Sequence, residues 1–183
     1  DEMRRSIIDH HQKGDHKTAK QLYRAYLANR PDDGVMWSNL GALFRADKNF
    51  EMAAHCQHRA LQTGQMAPSL LNNASNAIFD SGDVEKALEL RRLALKHEPN
   101  SADHWSTLAK YLRALGRHEE AHAEMTKAFR IFPDDVECHI QNAFALLSMG
   151  DYPRAFEEFE WRWQGDEISL PEFDFPRWSG EDL

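Results

Sequence analysis

The most suggestive chemical motif in the chain is a pair of histidines one helical turn apart. Residues 118–122 read His-Glu-Glu-Ala-His, which matches the pattern His-Glu-x-x-His. In that pattern the two histidines bind Zn²⁺ from one face of a helix, and the glutamate acts as general base on a metal-bound water. Catalysis would also need a third ligand and a substrate cleft. Ala121 falls in a register of inward-facing alanines described below, so we interpret the segment as an ordinary helix start.

The other reactive residue types are scattered. Ten histidines are spread along the chain without the carboxylate or cysteine neighbours that would complete a metal site. Cys56 and Cys138 lie far apart and belong to no Cys-x-x-Cys pair, which argues against a disulfide framework or a thiolate zinc site. The sequence has no glycine-rich phosphate loop and no nucleophile elbow. We therefore expect no catalytic residue, no metal site and no cofactor.

Composition narrows the classes of protein further. The chain has 183 residues, and 22 basic against 30 acidic residues give a net charge of −8, which repels nucleic acid phosphates and anionic lipid headgroups. No apolar run approaches the ~20 residues that cross a bilayer. We expect neither a nucleic acid nor a membrane partner. The first residues carry neither an initiator Met nor a signal peptide, which predicts a piece of a longer chain in a reducing, cytoplasmic compartment.

A period of 34 residues organises the chain. One register holds alanine in every unit, at Ala19, Ala53, Ala87, Ala121 and Ala155. A second holds glycine in four units, at Gly14, Gly82, Gly116 and Gly150, with Lys48 in the remaining place. A third holds proline at Pro31, Pro99 and Pro133, with Gln65 in the second unit. A fixed period of this kind predicts a stack of identical structural units. The predicted units are about 1–33, 34–67, 68–101, 102–135 and 136–169.

Each unit is predicted to form two helices, A and B. Apolar residues before the glycine recur at helical spacing, as in Trp105, Leu108, Ala109 and Leu112. The glycine ends helix A because it tolerates a left-handed conformation, and the proline ends helix B because it cannot continue the hydrogen-bond ladder. Alanine holds the invariant register because a small side chain lets the two helix backbones approach closely.

These registers resemble the tetratricopeptide repeat, whose pattern places Trp or Leu, Leu-Gly, an aromatic residue, Gly, Ala, an aromatic residue, Ala and Pro in the same positions. The resemblance covers residues 1–169. It implies an all-α, right-handed superhelical solenoid of five helix-turn-helix units whose inner wall is made mainly of A helices. Members of this family use that concave groove to hold peptides or partner proteins. We expect residues 170–183, which are rich in proline and aromatic residues, to form an extended tail or a linker.

The family resemblance assigns the binding groove to the A-helix face opposite the apolar stripe. In successive units the same position on this face carries the polar residues Asn39, Asn73, Thr107 and Gln141. Amide side chains both donate and accept, so a stacked row of them can satisfy the backbone of an extended peptide. The row resembles the asparagine ladder in the repeat arm of O-GlcNAc transferase. The alternative, that these amides only reflect the repeat consensus, remains open at this point.

Further polar residues flank this row, namely Arg45, Asn72, Asn76, Lys110 and Arg113. A basic inner wall on an acidic protein would favour acidic or carboxylate-bearing ligands. The chaperone-tail clamp of other tetratricopeptide domains needs a different set of lysines and asparagines in three consecutive units. No three consecutive units supply it, so we do not expect a chaperone-tail adaptor.

Two segments near the C-terminus suggest a larger protein. Residues 152–163 and 176–183 resemble the junction in bacterial proteins between a tetratricopeptide array and a glycosyltransferase-like domain of the heptosyltransferase or O-GlcNAc transferase kind. This resemblance implies a noncatalytic arm that recruits a substrate or partner protein. The alternative is a scaffold that self-assembles, in which the aromatic tail docks on a neighbouring array and makes a homo-oligomer.

Overall fold

A computed structural model describes residues 2–165, which form ten α-helices and a final 3-10 helix and contain no β-strand. The helices pair in chain order as α1 (Glu2–Gln12) with α2 (His16–Asn29), α3 (Gly34–Ala46) with α4 (Phe50–Gln62), α5 (Pro68–Asp80) with α6 (Val84–His97), α7 (Ala102–Ala114) with α8 (His118–Ala128), and α9 (Val136–Met149) with α10 (Tyr152–Phe159). Each A helix packs on its own B helix, and each B helix packs on the next A helix. The predicted all-α solenoid is confirmed.

Short polar side chains begin many of the helices. Their side-chain oxygens accept a hydrogen bond from the backbone N–H three residues later at Asp15, Asp33, Asn49, Asp83, Asp135 and Asp151. Such caps satisfy backbone donors that the first helical turn leaves unpaired. Because they recur at fixed places, each helix starts at the same point in its repeat.

The turn between helix A and helix B has a left-handed residue in every repeat. The glycine register supplies it four times, at Gly14, Gly82, Gly116 and Gly150. In the second repeat Lys48 takes the same conformation, with φ of 60°. A side chain makes this conformation unfavourable, so the second repeat keeps its turn at a cost in stability.

Small residues in the core allow the helices to approach closely. Every alanine of the invariant register is fully buried, from Ala19 to Ala155. At Gly41 a Cβ atom would lie 2.6 Å from Nε2 of Gln57 and 3.2 Å from the carbonyl oxygen of Ala53. Those distances leave no room for a methyl group, which explains why α3 carries glycine where it meets α4.

The last repeat differs from the others. Its B helix, α10, is only eight residues long and continues into the 3-10 helix Glu160–Gln164. The ring of His139 lies between those of Phe129 and Trp161, with centroid separations of 4.4 and 4.0 Å. His139 also contacts the carboxylate of Glu158. These contacts attach the end of the array to α9. The predicted tail 170–183 lies outside the described residues.

Candidate functional site

The nine residues predicted to bind a ligand all lie on four successive A helices. Asn39 and Arg45 are on α3; Asn72, Asn73 and Asn76 are on α5; Thr107, Lys110 and Arg113 are on α7; and Gln141 is on α9. We call the surface formed by these nine residues the A-helix wall. Side chains of this wall contact one another from repeat to repeat, and whether they bind a ligand remains a prediction.

The row of polar side chains is connected to its surroundings. The amide Nδ2 of Asn73 donates to Oγ of Ser38 on the preceding A helix at 3.2 Å. Gln141 accepts from Arg113 at 2.5 Å and donates to Glu137 at 2.7 Å. These bonds orient the amides and hold neighbouring A helices in register. The row is therefore pre-organised, and a ligand would add hydrogen bonds to an existing network.

Asn39 supports a buried tyrosine. Burial raises the pKa of the Tyr23 hydroxyl, and a hydrogen bond with Asn39 opposes that shift. Tyr23 also lies 2.9 Å from Nδ1 of His11. At this end of the array the wall is thus linked to the core of the first repeat.

Asn72 and Asn76 are engaged by a buried arginine that the sequence analysis did not single out. The guanidinium of Arg91, on α6, is fully buried and donates to Oδ1 of Asn72 at 2.6 Å and to Oδ1 of Asn76 at 2.7 Å. The hydroxyl of Tyr111 donates to the same oxygen of Asn76 at 2.8 Å. Both amide oxygens therefore point toward the inside of the repeat. The donors to these two oxygens are Arg91 and Tyr111, which belong to the protein and not to a ligand.

The signal for this arginine was present in the repeat pattern. The position that holds Arg91 is occupied by Tyr23, Gln57, Met125 and Phe159 in the other repeats, and three of these four are apolar or aromatic, as expected of a core position. A charge in a core position requires polar partners. The two asparagines four residues apart on the adjoining A helix supply them.

A histidine completes the surroundings of Arg91. The guanidinium NH1 lies 2.8 Å from Nδ1 of His104, and Nε2 of the same ring lies 3.0 Å from a carboxylate oxygen of Glu98. Because a guanidinium only donates hydrogen bonds, Nδ1 is the acceptor and Nε2 carries the proton. The geometry thus selects the neutral Nε2-protonated tautomer of His104. Asp103, whose carboxylate lies 3.5 Å from Arg91, supplies the nearest opposite charge in the described chain.

The cations of the wall fall into two groups. Nε of Arg45 lies 2.5 Å from the carboxylate of Asp80, and this carboxylate neutralises the charge of the guanidinium. Lys110 and Arg113 have no carboxylate within 4 Å in the part of the chain that the structure describes. Burial lowers the pKa of Arg113, and the charge of Glu137 opposes that shift. The positive potential of the wall is therefore concentrated on α7.

Two aromatic rings hold these cations in place. Nζ of Lys110 lies 5.3 Å from the ring centroid of Phe79, and the guanidinium of Arg113 lies 4.7 Å from that of Phe144. Both distances are within the range of cation–π attraction. Phe79 also stacks on Tyr111 at 4.4 Å. These phenylalanines were not among the predicted site residues, although they occupy the same helix face as the polar row.

A cavity of about 430 Å³ opens beside these two cations. Its lining comes from α5, α7, α8, α9 and the residues joining them, namely Phe79, Lys110, Arg113, Ala114, His118, Gln141 and Ser148. Nδ1 of His118 and Nε of Arg113 are buried without a hydrogen-bond partner among the described residues. Buried polar groups are normally paired, so these two atoms are exceptions to that rule.

The two histidines of the His-Glu-x-x-His segment have different surroundings. His118 lines the cavity, whereas Nδ1 of His122 lies 2.7 Å from Oδ1 of Asn142 on α9. Glu120 is paired with Arg92 and Arg117. Within residues 2–165, no group of three or more histidine, cysteine or carboxylate side chains is placed to hold a metal ion.

The remaining structural findings concern the cysteines and the helix lengths. Both cysteines are buried free thiols, and burial raises the pKa of Cys56 to about 11 and that of Cys138 further. A thiol with so high a pKa is a poor nucleophile at neutral pH. No helix within the described range is long and apolar enough to cross a membrane.

Comparison with known proteins agrees with the helix-pair geometry. A family model described as "Tetratricopeptide repeat" matches residues 102–135. A crystal structure of MamA superimposes with a TM-score of 0.77 at 17% identity, covering 91% of this chain and 94% of that one. YrrB, described as a TPR protein with an unusual peptide-binding site, superimposes with a TM-score of 0.77 at 13% identity, covering 86% of this chain and 81% of its own.

A curated relative is much longer than this chain. Protein FlbA of Caulobacter vibrioides is 28% identical over 148 residues, which is 80% of this chain but only 25% of FlbA. The chain thus spans about a quarter of the length of that relative. Residues 102–135 are a tetratricopeptide repeat, and the helices of residues 2–165 have the fold of a tetratricopeptide repeat solenoid.

Proposed function

We propose that the protein binds a peptide or protein segment along the A-helix wall and does no chemistry on it. The observation that carries this proposal is the set of polar contacts between successive A helices, together with the cations of α7 that have no carboxylate partner among the described residues. Amide groups of this kind match the donor and acceptor of a peptide unit. The description of YrrB as a peptide-binding protein is consistent with this use of the fold.

The contacts of the wall suggest which residues meet the ligand. The amide oxygens of Asn72 and Asn76 are turned toward Arg91, so their contribution to binding is indirect. Asn39, Asn73 and Thr107 are half-buried and line successive A helices. We therefore propose these three residues, together with Lys110 and Arg113, as the direct contacts, and Gln141, which is buried and bonded to Arg113 and Glu137, as an indirect one.

A peptide-display selection against the immobilised protein tests this proposal. Selected peptides are measured by fluorescence anisotropy against the wild type and against Asn73→Ala/Thr107→Ala. Loss of hydrogen-bonding side chains at two neighbouring repeats should weaken binding by about tenfold. Asn29→Ala/Gln62→Ala, which removes two exposed amides away from the wall, serves as the matched control. Equal affinity for all three proteins contradicts a binding role for the wall.

We further propose that this array is the recruiting arm of a larger, cytoplasmic glycosyltransferase-like protein. The support is the junction-like sequence of residues 152–163 and 176–183, together with the greater length of FlbA. The coding sequence downstream of Leu183 tests this. A glycine-rich pattern of alternating strands and helices supports it, whereas a stop codon directly after Leu183 contradicts it.

Self-assembly is the second candidate, and the surface of α10 favours it. Tyr152 and Phe156 are 58% and 60% exposed, and the sequence that follows contains Phe173, Phe175 and Trp178. Exposed aromatic residues of this size commonly mark an interaction surface. Light scattering across protein concentration tests the idea with the variant in which all three tail aromatics are serine. An unchanged molar mass contradicts docking of the tail on a neighbouring array.

A further inference from the structure

The cavity beside α7 gathers groups that attract an anion. Lys110 and Arg113 carry positive charges, and His118 lines the same cavity. Gln141 and Ser148 add hydrogen-bonding side chains on the α9 side. These five residues come from three helices, so only the stacked array brings them together.

The charge of this cavity is not cancelled by its surroundings. Arg45, on the same wall, is paired with Asp80, but Lys110 and Arg113 have no such partner in the described range. The nearest acidic influence is Glu137, whose charge acts on Arg113 and whose Oε1 accepts a hydrogen bond from Gln141 at 2.7 Å. Because neither Lys110 nor Arg113 forms a salt bridge with a described residue, their charges give the cavity a positive potential.

The cations are also held in position before any ligand arrives. The rings of Phe79 and Phe144 support Lys110 and Arg113, and Gln141 accepts a hydrogen bond from NH1 of Arg113. Restricting long side chains in advance reduces the entropy lost on binding. The guanidinium keeps Nε free within the described residues.

We infer that this cavity is the subsite for a carboxylate of the bound peptide, either an acidic side chain or the C-terminal carboxylate. The inference rests on the proposed function. A single negative charge suits the site better than a doubly charged phosphate, because Glu137 would repel the second charge. The volume of about 430 Å³ is that of a small-molecule pocket, so it takes a side chain and its neighbouring backbone.

Fluorescence anisotropy with two labelled peptides tests the inference. One probe is hexaglutamate with an amidated C-terminus, and the other is hexaglutamine with a free C-terminal carboxylate. The protein carries a net charge of −8, so non-specific attraction does not explain binding of hexaglutamate. Binding of the first probe assigns the subsite to acidic side chains, and binding of the second alone assigns it to the C-terminus.

Paired substitutions locate the binding. Lys110→Gln/Arg113→Gln should weaken the bound probe by about tenfold or more, because charge-assisted hydrogen bonds are among the stronger polar contacts. Lys96→Gln/Arg130→Gln removes the same charge from exposed positions away from the wall and should leave affinity unchanged. Lys110→Gln alone, at an exposed position, repeats the test if the double variant is unstable.

Three outcomes overturn the inference. The first is failure of both probes to bind at millimolar concentration. The second is an affinity of Lys110→Gln/Arg113→Gln for the probe equal to that of the wild type. The third is a loss of affinity in Lys96→Gln/Arg130→Gln equal to that in the cavity variant. Each of these leaves the proposed function standing if peptides from the display selection still bind and still depend on Asn73 and Thr107. Loss of that dependence removes the proposed function itself, so the two failures are distinguishable.

Discussion

The indole nitrogen of Trp105 donates a 2.9 Å hydrogen bond to the carbonyl oxygen of Pro99, and this bond joins helix A of one repeat to the end of the repeat before it. Trp37 makes the same bond to Pro31 at 3.0 Å, and His139 makes it to Pro133 at 2.8 Å. The third repeat has Leu71 in place of the ring donor and Gln65 in place of the proline. Leu71 has no ring N–H to donate, so the third repeat lacks this bond although residue 65 still carries a backbone carbonyl.

Trp105→Phe should lower the free energy of unfolding by about 1 kcal/mol, the usual net value of one hydrogen bond. The phenyl ring keeps most of the packing but cannot donate to Pro99. Urea denaturation followed by circular dichroism measures the change. Trp37→Phe, in another repeat, should give a loss of similar size. An increase in stability for either variant would show that the bond does not hold the repeats together.

Lys48→Gly should stabilise the protein by about 1 kcal/mol, because Lys48 has a positive φ that glycine adopts without steric cost. Lys48→Ala is the matched control, since alanine removes the side chain but retains the Cβ atom that makes the conformation unfavourable. Thermal and urea unfolding compare the three proteins. If the glycine variant is no more stable than the alanine variant, the left-handed turn carries no cost.

Arg91→Met should destabilise the protein by about 3 kcal/mol. Methionine fits a core position that already holds Met125 in the next repeat, but it leaves Oδ1 of Asn72 and Nδ1 of His104 without their donor, while Oδ1 of Asn76 keeps the Tyr111 hydroxyl. Unpaired buried polar groups cost about 1–3 kcal/mol each. Urea unfolding measures the loss.

The triple variant Arg91→Met/Asn72→Leu/Asn76→Leu should recover part of that stability, because a well-packed apolar cluster can replace a buried polar network, although the buried Tyr111 hydroxyl loses Asn76 as its acceptor. Comparing the two unfolding free energies separates the effect of removing the guanidinium from the effect of leaving its partners without a hydrogen bond. If the triple variant is as unstable as Arg91→Met, unpaired amides are not the cause of the loss.

Stability should fall as the pH drops below the ordinary histidine range, in part through His11. Burial, followed by the charge of His16, lowers the pKa of His11 in the folded protein. The unfolded chain therefore binds a proton first, so the contribution of His11 is complete above its unfolded pKa of about 6.5 and is lost as the pH falls toward the folded value.

The variant His11→Gln tests this assignment by urea unfolding at a series of pH values from 7.5 to about 5. It keeps a hydrogen-bonding group near Tyr23 but does not titrate. Its unfolding free energy should change less with pH than that of the wild type. An identical slope for both proteins would exclude His11 as a contributor.

The number and identity of the helices followed from the sequence with little ambiguity. Ala19 and Ala155 are fully buried as their register predicted, and the turn glycines have positive φ. These features are local: steric limits on a turn residue and the spacing of apolar residues act within one repeat. The left-handed turn also forms where Lys48 replaces glycine, because the neighbouring repeats impose the same helix pair on that segment.

Partnerships across repeats could not be predicted in the same way. Nothing in the residue types distinguishes Arg45, paired with Asp80, from Arg113, which faces a cavity and the ring of Phe144. Asn76 was predicted to flank the polar row as a ligand contact, yet its oxygen accepts a hydrogen bond from a buried guanidinium. Such contacts join residues far apart in the chain, and they depend on the offset and rotation between neighbouring helices.

The sequence by itself thus determined the repeat, the helix pairs and the set of polar residues on the A helices, because each is encoded by short-range spacing. Only the tertiary structure decided which of those residues satisfy one another and which remain available to a ligand. The physical reason is that charge neutralisation and hydrogen bonding depend on distances of a few ångströms between different helices, and the stacking of the repeats sets those distances.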